Sequence, residues 1–507
     1  MQTKAGLFLW VKKLLSQFPF HLILLAPFFI SFKYTQYQGL LDKNETLKAA
    51  FYIVIGLVFI SGLYFLIYKQ LQKSAIAATV SGLLFLFFGD LREGFQNSEL
   101  KLLTVFSMYK LFLPLIFFPF IIFLFLLRKK NTALKTTFYL NLVLLIYSSI
   151  EIYNEINLFL SKQQKVTKQI HTVTVSDSLQ KTLPDIYYIV PDCYPSTAYQ
   201  QEMLSTNNSG FDSSLAALGF YLVSNSKSNY NRTAFSMLCT FTMAYPPWLA
   251  NNKPVNAFHY NKAISEINTA NAVKIMADNG YHFFNLSLFD FENSKALKKE
   301  KFLSTTTSEM IFKFTFWNYF RSDILASRVL DKAHYRKKNM IQTNEPKRAY
   351  NKKIIDSLLK GIPNQTKPAF VYAHLMMPHA PYFYDSTGNP HSNDSIYTKD
   401  FYTDRKKFAG YIKYTNQTLL NLIRTIQSKT KRKAVIILQS DHGIADLDKM
   451  READAFKNYT AIYYPDGNYK QLYNSISNVN TFRLVFNKFL GQHLPLLPDS
   501  SYNLLLK

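Results

Sequence analysis

The chain has 507 residues and a formal net charge of +25, and 48% of its residues are hydrophobic. Such an excess of positive charge favours anionic surroundings, and because the basic residues form no nucleic-acid-binding motif, we expect an anionic membrane surface and not nucleic acid as partner. The only cysteines are Cys193 and Cys239, a number that excludes a disulfide framework and a cysteine metal cage.

Long apolar runs are concentrated in the first third of the chain. A bilayer core about 30 Å thick needs about 20 helical residues, and five segments are predicted to cross it: Phe18–Phe32, Ala49–Tyr68, Ala75–Gly89, Leu111–Leu127 and Thr136–Ile156. The first and third are short, so an interfacial position is the alternative for them. A cleaved signal peptide explains the first segment less well, because no small-residue cleavage pattern follows it.

Basic residues in the short loops predict the orientation of these segments. The loops on the N-terminal side carry nine Lys and Arg residues, whereas the opposite loops carry six, diluted by Asp and Glu. Because basic loops remain in the cytoplasm, we expect a multi-pass protein of the cell (inner) membrane with a cytoplasmic N-terminus. The predicted domains are residues 1–157 (transmembrane), 158–183 (linker or interfacial helix) and 184–507 (extracytoplasmic).

Short apolar strands alternate with amphipathic helical stretches after the linker. Continuous apolar strands followed by helices predict a doubly wound α/β domain with a mostly parallel sheet buried on both faces. Helices are predicted at Ala263–Asp278 and Lys407–Ser428. The predicted strands are Ile186–Val190, Phe220–Val223, His282–Leu288, Ala369–His374, Ala434–Gln439 and Ala461–Tyr464.

Metal-ligand residue types follow three of these strands. Asp192 comes after the first strand, and Asp441, His442 and a glycine come after the fifth. His379 lies in a proline-flanked loop after the fourth. Because chemistry in such sheets sits beyond the carboxyl ends of the strands, carboxylates and imidazoles there indicate a divalent metal site. A turn or helix cap is the alternative for Asp192, and an exposed loop position is the alternative for His379.

A hydroxyl nucleophile is predicted in the stretch that follows the second strand. Residues 228–236 read SNYNRTAFS and begin a helical pattern. A Thr233 hydroxyl at a helix N-terminus beside a metal would be more acidic and would face an anionic substrate across unpaired backbone amides. Ser236 is the next candidate, and the alternative for both residues is a purely structural role in capping or packing the helix.

The chain from Pro184 to its C-terminus resembles the alkaline phosphatase and sulfatase superfamily. The resemblance is to its membrane-anchored branch, with the lipoteichoic acid synthases and phosphoethanolamine transferases. That family has a strand-end carboxylate, a Thr, Ser or modified Cys nucleophile some forty residues later, and a late Asp-His pair. The matching positions here are Asp192, Thr233 at a spacing of 41 residues, and Asp441 with His442. The loop around His379 is similar to the family's Pro-His-x-Pro loop.

The resemblance implies roles for individual residues. Thr233 is the implied nucleophile, and one divalent metal, Zn or Mn with Mg as the alternative, is implied at Asp192, Thr233, Asp441 and His442. A second metal stays open, with His374 or His379 as extra ligands. The implied substrate contacts are His379, Arg232, Asn231 and His374. Cys193 begins a sequence similar to the sulfatase C/S-x-P-S-R motif, which we interpret as a coincidence because the arginine is missing.

The predicted function is that of a metal-dependent, sulfatase-like hydrolase or transferase acting on phosphate or sulfate esters of the cell envelope through a covalent threonine intermediate. The preferred reaction moves a phospho-alcohol group from a membrane lipid to an envelope glycan or lipid. One alternative is a phosphodiesterase or sulfatase that uses water as acceptor. Another is an inactive membrane scaffold.

Overall fold

The structure is a computed structural model and divides the chain into two compact units. We call residues 1–169 and 304–334 the helical unit, and residues 170–303 and 335–507 the sheet unit. The described residues are 2–37, 41–96, 98, 100–129, 132–164, 182–255, 257–297, 307–320, 347–361, 367–396, 404–430, 432–444 and 452–506. Most of the predicted linker lies outside them.

The described part of the helical unit begins with eight helices. They are α1 Gln2–Gln17, α2 His21–Gln36, α3 Lys43–Tyr68, α4 Leu71–Leu86, α5 Phe88–Gln96, α6 Lys101–Phe106, α7 Tyr109–Lys129 and α8 Ala133–Gln164. Among the described residues, three helices are long and apolar enough to cross a membrane, and the number reaches five if the bent pairs α1/α2 and α4/α5 each count as one span. The prediction of an N-terminal bundle of apolar helices is confirmed.

A short segment from the middle of the chain also belongs to the helical unit. It contains the helices Thr307–Phe312 and Phe316–Tyr319. The carbonyl oxygen of Phe314 accepts a hydrogen bond of 2.6 Å from the backbone N–H of Gly89. A Cβ atom at Gly89 would lie 2.6 Å from that carbonyl oxygen, so this approach requires glycine. The segment falls within residues 184–507, which the sequence predicts to form the extracytoplasmic domain.

The described residues of the sheet unit form eight strands. They are β1 Asp185–Pro191, β2 Tyr221–Leu222, β3 Lys253–Val255, β4 His282–Leu286, β5 Ala369–Leu375, β6 Ala434–Gln439, β7 Thr460–Tyr463 and β8 Leu504–Leu506. Six form one sheet in the order β2-β7-β6-β1-β5-β4, in which β6, β1, β5 and β4 are parallel and β7 and β2 pair antiparallel. The predicted mostly parallel sheet is confirmed. The small β3–β8 sheet was not predicted, because three-residue strands carry too little periodicity.

Helices cover both faces of the large sheet. They are α9 Thr197–Leu204, α10 Ser209–Ala217, α11 Thr233–Thr242, α12 Ala257–Asn268, α13 Asn271–Asp278, α14 Asn393–Ile396, α15 Arg405–Lys429 and α16 Asn478–Phe489. Successive strand residues point to opposite faces. The Tyr188 ring packs 5.1 Å from that of Phe482 in α16, whereas the Tyr187 hydroxyl lies 3.4 Å from Thr430 Oγ1 at the end of α15.

The two helices predicted in the sheet unit can be compared with the helices in the structure. The prediction at Ala263–Asp278 is interrupted between α12 and α13. The prediction at Lys407–Ser428 corresponds to α15, which begins after Asp404, whose side chain accepts hydrogen bonds from the backbone N–H groups of Lys406 and Lys407. Such an N-cap satisfies amides that the first helical turn leaves unpaired.

Candidate functional site

The candidate site lies where three adjacent parallel strands end. In the sheet register, Val190 of β1 pairs with His374 of β5, and Ile189 pairs with Leu438 of β6. The residues that follow β1 and β6 therefore meet His374 at one edge of the sheet. The backbone N–H of Asp192 donates to Leu375 at 2.9 Å, which continues the pairing one residue beyond β1.

Two carboxylates and one imidazole converge at this edge. Asp192, Asp441 and His442 are all buried, and each offers a ligand atom within 4.8 Å of the others. Asp441 Oδ1 accepts a hydrogen bond of 3.1 Å from the backbone N–H of Cys193. Asp441 Oδ2 lies 3.3 Å from His442 Nε2. The structure therefore brings together three of the four predicted metal ligands through side chains from separate strands.

The backbone fixes how His442 presents its ring. His442 Nδ1 lies 2.6 Å from the carbonyl oxygen of Gly443, and because a carbonyl only accepts, Nδ1 carries the proton. Nε2 is then left with a lone pair that faces Asp441 and Thr233. A Cβ atom at Gly443 would lie 2.5 Å from the carbonyl oxygen of Asp454. Glycine therefore permits the tight turn that presents the imidazole.

Thr233 is the first residue of α11, and it completes the predicted ligand set. Its Oγ1 lies 3.2 Å from His442 Nε2, and the residue is 9% exposed. The preceding Arg232 is the N-cap, and in the described part of the chain its side chain makes no capping hydrogen bond. The first-turn amides thus remain without a side-chain cap, which is the arrangement that suits an anion at a helix N-terminus.

Ser236, the second nucleophile candidate, has a different contact. It lies on the same helix, and its hydroxyl donates to the backbone carbonyl of Asp441 at 2.5 Å. This contact directs its proton to the backbone. The geometry favours Thr233 over Ser236 as the reactive hydroxyl.

Two further histidines lie beside Asp192. His374 is fully buried, with Nδ1 2.8 Å from the Tyr372 hydroxyl and Nε2 3.5 Å from Asp192 Oδ2. His379 is half-buried, and its Nδ1 donates to the carbonyl oxygen of Ala380 at 2.6 Å. Whether one of these imidazoles supplements the metal ligands stays a prediction.

The charge balance of the cluster favours a cation. Burial would raise the pKa of Asp192, but His379, His374 and His442 outweigh burial and hold that pKa below its usual range. Asp192 Oδ1 and Asp441 Oδ2 are buried oxygens without a hydrogen-bond partner among the residues the structure describes. Buried acceptors normally have partners, so the donor set fits a divalent metal ion.

The predicted substrate contacts have different surroundings. The Asn231 amide nitrogen donates to Asn503 Oδ1 at 2.6 Å and to the Leu504 carbonyl at 3.2 Å, and its Oδ1 accepts from the backbone N–H of Leu504 at 3.0 Å. The Asn231 side chain therefore connects the loop before α11 to the C-terminal residues Asn503 and Leu504, and these contacts do not involve the metal-ligand residues. Arg232 is half-buried, and its Nε has no hydrogen-bond partner within the described ranges.

Three residues at the site were not predicted. Cys193 contacts Asp441 as described, and its Sγ lies 3.6 Å from His442 Nδ1. Asn478 Nδ2 donates to the carbonyl oxygen of Asp441 at 3.2 Å. Tyr372 had an available signal, because it lies two residues before His374 on one strand and therefore on the same face. Asn478 had no such signal in the sequence, because α16 is distant in sequence from the strand ends that form the site.

The chain is similar to one protein family and to several solved structures. The sulfatase family profile matches residues 196–484. No curated protein matches the sequence. Solved structures similar to this chain include the C-terminal periplasmic domain of EptC from Escherichia coli in complex with zinc, at 10% identity and a TM-score of 0.38, covering 63% of this chain and 86% of that one.

Two other solved structures are phosphoethanolamine transferases. The C-terminal periplasmic domain of EptC from Campylobacter jejuni is 12% identical, with a TM-score of 0.36 and coverage of 66% of this chain and 99% of that one. The integral membrane lipooligosaccharide phosphoethanolamine transferase A from Neisseria meningitidis is 13% identical, with a TM-score of 0.36 and coverage of 96% of both chains.

The family match covers more than half of the chain and includes Thr233, Asp441 and His442. Together with the strand-end cluster, it supports a divalent metal in the sheet unit. The apolar helices of the helical unit provide a membrane anchor. The chain belongs to the sulfatase family and is an enzyme of the alkaline phosphatase superfamily.

Proposed function

We propose that the chain is a metal-dependent transferase that moves a phospho-alcohol group from a membrane lipid to an envelope glycan or lipid, with Thr233 as nucleophile. The observation that carries this proposal is the 3.2 Å distance between Thr233 Oγ1 and His442 Nε2 at the uncapped start of α11. A hydroxyl beside a metal-ligand set, with backbone amides facing the same space, has the components needed for attack on an anionic ester.

Each residue has a defined part in the proposed reaction. Asp192, Asp441, His442 and Thr233 would hold the metal, which when bound lowers the pKa of a hydroxyl and neutralises charge on an esterified phosphate. The bond between Thr233 Oγ1 and phosphorus forms as the bond from phosphorus to the lipid oxygen breaks. The Thr233 proton ends on the released lipid alcohol. The first-turn amides of α11 and the Arg232 guanidinium stabilise the equatorial oxygens.

The second half of the reaction regenerates the enzyme. An acceptor hydroxyl attacks the phosphorus, the bond to Thr233 Oγ1 breaks, and the acceptor's proton returns to that oxygen. Water in place of the acceptor makes the enzyme a phosphodiesterase, and a sulfur centre makes it a sulfatase. The membrane anchor favours the lipid-donor reaction, because three to five apolar helices confine enzyme and donor to one surface. We place the sheet unit outside the inner membrane, as the loop charges predict.

The test uses the full chain reconstituted in bilayers, because residues 304–334 belong to the helical unit and a truncated sheet unit would leave them without their contacts. The protein is incubated with a phospholipid pool and, separately, with aryl phosphate and sulfate esters, then digested and analysed by mass spectrometry. We expect an adduct on Thr233 whose mass identifies the transferred group. Thr233→Ala should carry no adduct, and Ser236→Ala serves as the matched control on the same helix.

The outcomes separate the candidate reactions. A phospho-alcohol adduct that an added glycan or lipid acceptor discharges supports the transferase. An adduct discharged equally fast in buffer alone identifies a hydrolase. An adduct on Ser236 would contradict the assignment of the nucleophile, and a metal-loaded protein without adduct or product release would identify an inactive scaffold.

A further inference from the structure

Cys193 has a backbone conformation that L residues rarely adopt. Its φ is 61°, in the left-handed region, where a residue other than glycine is held only if its surroundings compensate the steric cost. Its backbone N–H donates to Asp441 Oδ1 at 3.1 Å. The conformation therefore belongs to the turn that joins β1 to the cluster, and it fixes the thiol beside Asp192.

The thiol lies within a second set of metal-ligand atoms. Asp192, Cys193 and His379 each offer a donor atom within 4.8 Å of the others. Asp192 is also a member of the set with Asp441 and His442. The two sets thus share one carboxylate, which has two oxygens and is able to bridge neighbouring cations.

The two other members of this set have features of metal ligands. Asp192 is 3% exposed, and its Oδ1 lacks a hydrogen-bond partner in the portion of the chain that is described. His379 Nδ1 donates to a backbone carbonyl, which leaves Nε2 with a lone pair, as in a metal-bound histidine. The set that contains the thiol therefore also contains an oriented imidazole and a buried carboxylate with an oxygen that has no hydrogen-bond partner among the described residues.

We propose that Asp192, Cys193 and His379 form a second metal position in which the Cys193 thiolate is a ligand. Thiolate, imidazole and carboxylate together select a thiophilic cation such as zinc over Mg or Mn. The ligand set stands on its own geometry, whereas the catalytic use of the cation rests on the proposed function. Asp192, Cys193 and His379 would hold this cation, and Zn is the metal that we expect there.

Cobalt substitution tests this proposal without measuring turnover. The full chain in detergent is stripped of metal and titrated with Co²⁺, while absorption is recorded in the near ultraviolet, where thiolate-to-cobalt charge transfer appears. We expect the band in the wild type and its loss in Cys193→Ser, with bound Co²⁺ falling from about two to about one per chain. Cys193→Asp should keep about two cations without the band, which separates loss of the ligand from loss of the fold.

The second cysteine provides a matched control. Cys239 is fully buried in α11, and burial raises the pKa of its thiol well above the usual range, so it is unsuited to bind metal as a thiolate. Cys239→Ser should retain the band. Absence of the band in the wild type, or its persistence in Cys193→Ser, would overturn the proposal. A Thr233 adduct without the band leaves the proposed function standing, and the band without an adduct supports the metal position alone.

Discussion

The two units bury charged residues in opposite ways. In the helical unit, Lys33 is fully buried, and its Nζ lies 2.7 Å and 2.9 Å from the two carboxylate oxygens of Asp90 and 3.0 Å from Gln36 Oε1. In the sheet unit, Asp192 and Asp441 are both buried, each with one oxygen that has no hydrogen-bond partner among the described residues, and the cationic candidates beside them are imidazoles.

This difference separates buried charges that have a structural role from buried charges that are suited to bind a ligand. A carboxylate buried opposite an ammonium group has its partner within the fold, so Lys33 and Asp90 hold helices together. Two carboxylates that converge beside imidazoles have no ammonium partner among the described residues, and a bound cation would supply the missing charge. Substitutions should therefore reduce stability in the helical unit and reduce metal binding in the sheet unit.

The largest expected effect is on metal binding and turnover in Asp441→Asn. Replacing one of the clustered carboxylates removes a charged ligand, and we expect metal content to fall and turnover to drop by roughly 10³-fold or more. Metal analysis and ester hydrolysis measure these two effects. In the metal-free protein the same substitution should raise the unfolding temperature, because it removes an uncompensated buried charge. Unchanged metal content would assign Asp441 to a structural role.

The opposite behaviour is expected for Lys33. Lys33→Met leaves Asp90 opposite no cation and should destabilise the protein by roughly 3 kcal/mol, measured as thermal unfolding in detergent. Metal content per folded chain should not change.

Its control is the double variant Lys33→Met with Asp90→Leu, which should recover most of the loss because both charges are removed. A double variant less stable than Lys33→Met alone would show that Lys33 and Asp90 contribute more than mutual charge neutralisation. The proposed difference between the two units would then be wrong.

An intermediate effect is expected for Gly443→Ala. The added methyl group would lie 2.5 Å from the carbonyl oxygen of Asp454, so the backbone after His442 must shift and take the ring with it. Metal affinity should fall by roughly 10- to 100-fold, measured by competition with a chelating dye. Gly410→Ala in α15 is the control, because its Cβ would have an ordinary contact of 3.5 Å. Equal affinities in the two variants would contradict the tight-turn argument.

The fold could be predicted from the sequence where the pattern of apolar residues was strong. All six strands of the large sheet and the apolar helices were predicted, because buried parallel strands and membrane helices carry long apolar runs. The β3–β8 pair was missed, since Leu504–Leu506 is paired through a contact of high sequence separation that leaves no local pattern.

The sequence predicts only those site residues that follow strand ends or match the family's motifs. These include Asp192, Thr233, Asp441 and His442, which the structure brings together. Asn231 illustrates the limit, because its partners are the C-terminal residues Asn503 and Leu504. The sequence carries no signal that Cys193 belongs to the site, because the left-handed turn that places its thiol is a property of the tertiary structure.

The smallest expected effect concerns support for His374. Tyr372→Phe removes the hydroxyl that lies 2.8 Å from His374 Nδ1, leaving the ring less firmly oriented toward Asp192. A single buried hydrogen bond is worth about 1 kcal/mol, so metal affinity should fall only about fivefold. Tyr188→Phe is the matched control, because its equally buried hydroxyl donates to Gln439 Oε1 at 3.3 Å and not to a site histidine. If both variants lose stability but only Tyr372→Phe loses affinity, the hydroxyl serves to position His374; equal affinities would make it part of the core alone.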